Sequence, residues 1–239
     1  MTVELITGSA NWVCPSQVFS VKLELWGAGG SGGGGGLNNS EGGGGGGGGQ
    51  YVCRFYVAVN PGTTYGMVIG TGGLGVVQTD GNNGDDSTFN INWLTAKGGT
   101  GGKSYANGGA GGTGDSATPG NPHVRYIGGN GGNGGSTYAA GGGGGAGSTG
   151  IGGTPSTETG AGGGANEYGG NGGVGTDLTQ GDGGVGDDYG GGGGGATKAG
   201  TSGNGANGLC RLTYFTAKGI KSLKEATADV LSSYESGLR

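Results

Sequence analysis

Histidine occurs once in the 239 residues, at His123, so no histidine metal cluster can form and no Ser/His/Asp or Cys/His pair declares itself locally. No catalytic residue, metal or cofactor is expected. Proline is scarce at five residues, and strict Gly-X-Y phase is missing, which excludes collagen although 75 residues are glycine. Charged residues make up 11% and the formal net charge is -5, so the basic footprint that nucleic acid or an anionic membrane surface requires is absent. No apolar run approaches the roughly 20 residues of a membrane span, and no charged-then-apolar leader opens the chain. The expectation is a soluble product of a cytoplasm.

The three cysteines, Cys14, Cys53 and Cys210, match no Cys-x-x-Cys spacing. In strand-like surroundings they read as buried small apolar residues, with oxidation of one pair outside the cell as the alternative. No glycine run ends in Gly-Lys-Ser/Thr at a helix start, which excludes a phosphate loop. The stretches 172–177 and 183–188 match the front of a calcium-roll repeat, but neither has an apolar residue two after the aspartate and the copies are not nine apart. Acidic 80–86 reads as an Asx-rich turn rather than an ion site.

Glycine dominates, and its arrangement carries the information. Within 98–208, short glycine runs alternate with inserts of Asn, Thr, Ser, Asp and single tyrosines, and several runs keep a period of three: 108–113, 128–136 and 169–174. A flexible linker has no such phase. Three residues is the period of the polyproline-II helix, which has no internal hydrogen bonds. Its outward N–H and C=O groups can be satisfied only laterally, in a bundle whose close approach demands glycine. Interior helices must then be bare on all sides, while helices on the faces can carry a side chain at every third position. Valine at Gly132 in an interior helix should therefore destabilise far more than valine at Asn130 or Asn133.

Residues 2–97 read as short strands. Val21, Leu23 and Leu25 alternate with Lys22, Glu24 and Trp26, and Tyr51, Cys53, Phe55, Val57 and Val59 alternate around Arg54. Further candidates are 3–7, 12–13, 65–70 and 87–97, and a last strand covers 209–215. The reading is all-β: an antiparallel β-sandwich over 1–97, completed by 209–215, with one polyglycine insertion at 27–49 and a polyglycine-II bundle at 98–208. After Phe215, Ser222-x-x-Glu225 opens a short α-helix within 216–239. Its stripe of Leu223, Val230, Leu231 and Tyr234 either packs on the chain itself or docks onto a partner or a trimeric fibre.

A bundle of bare backbones cannot bury the single aromatics of the inserts, so Tyr105, Tyr126, Tyr138, Tyr168 and Tyr189 belong at its ends or faces. Tyrosine offers contact area at low entropy cost with one polar handle. These five, with His123 and Arg125, are candidate receptor-binding residues; shielding the ends of the bundle is the alternative role.

The triplet runs with aromatic-tipped inserts resemble the polyglycine-II sandwich of the tail-fibre tip adhesins of T-even-related bacteriophages. The junction Val21-Lys22-Leu23-Glu24-Leu25-Trp26-Gly27-Ala28-Gly29-Gly30 resembles the wider group of glycine-rich domains on phage appendages, and a similar jelly-roll with inserted polyglycine helices occurs in some receptor tyrosine kinases. The resemblance covers about residues 10–215 and implies a jelly-roll-like sandwich in a virion tail-fibre or spike tip, assembled in the host cytoplasm. It also implies a bacterial surface receptor, protein or glycan, as partner, besides other virion proteins. T-even-type adhesins carry an N-terminal attachment domain before the glycine region; here strand-like sequence stands first, so attachment is not implied. Two other readings remain: a purely structural spike, decoration or baseplate subunit, and an ice-binding surface of small residues.

Overall fold

The alternation over Val21 to Trp26 produces a strand, Ser20–Trp26, with Val21, Leu23 and Leu25 in an apolar core and Glu24 and Trp26 on the opposite face. The computed structural model describes residues 1–36, 42–90, 93–104, 124–156, 159, 160, 162, 164, 167–177 and 181–216. In chain order the strands are β1 (Thr2–Ile6), β2 (Ala10–Val13), β3 (Ser20–Trp26), β4 (Tyr51–Ala58), β5 (Thr64–Val68), β6 (Ser87–Phe89), β7 (Leu94–Ala96), β8 (Val124–Tyr126) and β9 (Leu209–Tyr214). They form two antiparallel sheets, β1-β9-β3-β4-β8 and β2-β5-β6-β7. No helix occurs among the described residues.

Both sheets contribute to one core, which includes Trp12, Leu23, Leu25, Tyr65, Phe89 and Leu212. Burying side chains of this size stabilises by about 1.5–3 kcal/mol each. Cys14, Cys53 and Cys210 are all buried and free. The last strand pairs with the first and third, Leu5↔Arg211 and Leu25↔Cys210, so the ends of the domain close on each other.

Three features depart from the expected strands. Residues 87–97 form not one strand but a hairpin, β6 and β7, with Thr88 opposite Thr95. Val124–Tyr126, read as part of a polar insert, is an edge strand with Tyr126 opposite Tyr51. In β4 the partners jump from Val57↔Val21 to Arg54↔Leu23, which inserts one extra residue. This bulge reverses the inside-outside phase of the strand, so Tyr51 and Cys53 face away from the core while Val57 enters it. A strict period-two reading puts all of them on one face.

Beyond Trp26 the chain enters an array of glycine runs joined laterally by backbone hydrogen bonds. Gly27, Gly30 and Gly33 donate to Gln50, Gly47 and Gly44 at 2.8–2.9 Å. Ala28, Ser31 and Gly34 donate to Asp85, Asn82 and Thr79, and Gly29 and Gly32 to Ala206 and Gly203. Successive donors thus visit three neighbours in turn, and each neighbour is met again three residues later. The carbonyls of this run accept from further runs, at Gly99 and Gly102, at Gly193 and Ala196, and at Gly73. Residues 70–85, part of the expected sandwich, therefore bond into the array.

The array sorts by composition. Runs 27–35, 42–50, 139–146 and 190–197 are buried throughout. Around them, the outer runs expose every third residue: Asn130 and Asn133; Asn171, Val174 and Asp177; Asp182, Val185 and Asp188; Thr201, Asn204 and Asn207.

Candidate functional site

Among the described residues, the segments that join the runs lie at two ends of the array, one beside the sheets and one distal to them. The proximal one is built on the outer face of the five-stranded sheet. Trp26 at the end of β3 and Tyr51 at the start of β4 lie side by side with ring centroids 4.9 Å apart, and Tyr126 of β8 stacks on Tyr51 at 6.1 Å. The turn carrying Glu167 and Tyr168, both at positive φ (56° and 64°), brings the Tyr168 ring edge-on to Trp26 at 5.7 Å. Tyr189 packs on the same cluster, 6.5 Å from Tyr168.

Under these rings lies a charge cluster that sequence reasoning did not single out. Glu24 is fully buried and Arg211 is its cross-strand neighbour. Arg211 donates Nε and Nη2 to the two Glu24 oxygens at 2.7 Å, Tyr51 donates its hydroxyl at 2.8 Å, and Lys22 Nζ lies at 3.0 Å. The guanidinium also sits 4.9 Å from the Tyr168 ring and 5.6 Å from the Trp26 ring, in cation–π contact with both. Burial pushes the Glu24 carboxyl up, but the Arg211, Tyr51 and Lys22 hydrogen bonds outweigh it and hold it below the usual carboxylate range. Burial, then the Glu24 charge, pushes the Tyr51 hydroxyl far up. The available signal was one acid and one base at outward positions of two strands otherwise rich in apolar residues.

At the distal end, Tyr138 bridges to Asp177, and Gly135 donates to the Tyr138 carbonyl at 3.0 Å. The Asp177 carbonyl accepts from Thr197 Oγ1 at 2.9 Å. Asp80 caps the exit of another run, accepting from Ser104 N and Lys103 Nζ at 2.9 Å each; the Ser104 N–H and then Lys103 hold its carboxyl below the usual range.

The structure therefore brings Tyr126, Tyr168 and Tyr189 together at the junction, leaves Arg125 exposed on β8, and puts Tyr138 at the opposite end. Tyr105, His123, and the helix residues Leu223, Val230, Leu231 and Tyr234 lie outside the described residues. Among the described residues, no three His, Cys, Asp or Glu side chains converge to hold a metal ion, and no helix is long and apolar enough to cross a membrane.

The sequence profile of the glycine-rich domain matches residues 4–215, from the first strand to the residue after the last. The chain belongs to the glycine-rich domain family. The matched span takes in both sheets and every run of the array, so the glycine-rich domain here is the sandwich and the array together rather than the array alone. No curated protein matches the chain.

Proposed function

We propose that the glycine array is a bundle of polyglycine-II helices on a jelly-roll-like sandwich, and that the protein is a phage tail-fibre or spike tip adhesin. In this reading the domains are the sandwich (1–97 with 209–215, joined by the 124–126 edge strand), the bundle (98–208, to which the 27–49 insertion and residues 70–85 add runs) and a C-terminal docking helix (216–239). The observation that carries it is the three-neighbour rotation of donors along 27–34, with nearly all-glycine runs inside and Gly-Gly-X runs outside. A scaffold whose runs are joined mainly by backbone hydrogen bonds leaves most residues of its distal connecting segments free of structural duty, so they can vary to fit a bacterial surface protein or glycan. The presenting end is the distal one, with Tyr138, because the proximal tyrosines pack on the sheet. Purified protein should bind susceptible cells and block phage adsorption, and replacing Tyr105 and Tyr138 together by Ser should lower both at least tenfold. Protein that neither binds nor blocks would overturn the reading.

The engagement of Tyr126, Tyr168 and Tyr189 at the junction favours a second reading, a stiff structural virion subunit. If replacing His123, Arg125 and Tyr126 left adsorption intact while loss of the C-terminal segment abolished particle assembly, that reading would replace the first.

A further inference from the structure

The bulge in β4 has a second effect, at the sheet end farthest from the glycine array. It holds Tyr56 at φ 57° with 87% of its surface exposed. A bulky residue in the left-handed region is strained, and such strain concentrates at functional positions. Phe19 and Phe215, 68% and 70% exposed, converge beside it. With Phe55, Lys22 and Tyr214 they line a groove of about 470 Å³. Single exposed apolar residues are ordinary, whereas an apolar groove calls for an occupant.

We propose that this groove seats the chain's own C-terminal segment, residues 217–239, as an amphipathic helix docked in cis. The last strand leaves the sheet through Phe215, which itself lines the groove. The segment's Leu223, Val230, Leu231 and Tyr234 recur at one-face helical spacing, and so short a helix is marginal in water without a surface to cover. From Thr216 to the capping Ser222 the tether reaches at most about 20 Å, which keeps the segment beside the groove. A tether that short gives an effective concentration in the millimolar range, above anything a second copy or another virion protein supplies free in solution. The docked helix would turn an aggregation-prone pole into a polar one and present its outer face as the mounting surface.

Hydrogen exchange by mass spectrometry on the full chain tests this without reference to any host. Amides of 224–234 should exchange at least about tenfold more slowly than in an unstructured chain, equally before and after an approximately fiftyfold dilution. Phe19→Asp should return them to the unprotected rate while the amides of β3, β4 and β9 keep theirs. Leu231→Asp, in the segment itself, should do the same and serves if Phe19→Asp does not fold. A segment unprotected in the wild type, or protection that survives both variants, overturns the proposal. Protection lost on dilution also overturns it and assigns the groove to a second copy.

Discussion

A Cβ built on Gly131 lies 2.1 Å from the Gly45 carbonyl oxygen and one on Gly134 lies 2.1 Å from that of Gly42, whereas at Gly132 the nearest atom is Ala140 Cβ at 3.1 Å. Run 128–135 is thus an outer run whose Gly131 and Gly134 face inward, and Gly132, named from sequence as the sensitive position, is the roomiest of the three. Gly131→Val must separate backbones and break lateral bonds, at about 3 kcal/mol or more. Calorimetry should rank Gly131→Val well below Gly132→Val in melting temperature, with Val185→Asn, 61% exposed, within about 0.5 kcal/mol of wild type. Equal melting temperatures would refute the packing. Glu24→Gln leaves Arg211, with 14% of its side chain exposed, without its charge partner and should cost about 3 kcal/mol near neutral pH. The Glu24 carboxyl is held below its unfolded value, so its contribution is complete above about pH 4.3 and is lost as pH falls through the folded value. The melting temperature of Glu24→Gln should therefore change less than that of wild type between about pH 5 and pH 3.

Among the elements, β4 shows how a local irregularity decides two surfaces at once. Tyr56→Gly removes the left-handed strain without removing core contacts, so denaturant unfolding should show a gain of about 1 kcal/mol. Such a gain would mean that the tyrosine is kept for something other than stability. The strands with unbroken alternation, β3 and β9, were legible from sequence, and so was the triplet phase, because both are periodic signals. The bulge was not, since one extra residue leaves composition unchanged and only reverses the phase. Nor was β8, three residues long, whose pairing with β4 is a long-range contact that no local pattern encodes. The Glu24 and Arg211 pair escaped for the same reason, being 187 positions apart. The tyrosines were legible as residues excluded from the array interior; which end each would occupy depends on where its run turns back.

For the whole molecule, the three-neighbour rotation makes phase a global property. One extra glycine between Gly45 and Gly46 turns every earlier donor of that run by about 120° toward the wrong neighbour, whereas three extra residues restore the orientation. Thermal melts should show the single insertion to be the more damaging, and equal damage would count against the rotation. Runs without side chains have another consequence. Shifted by three residues, an all-glycine run finds nearly the same partners, so the interior lattice alone is degenerate to slippage. The exceptions in the interior runs act as index marks: buried Ser31 accepts from Asn82 N at 2.8 Å, and buried Gln50 accepts from Lys97 N at 3.1 Å. Thr197 of run 190–197, buried and donating Oγ1 to the Asp177 carbonyl at 2.9 Å, is a third. Three polar side chains thus supply positional information that glycine cannot carry.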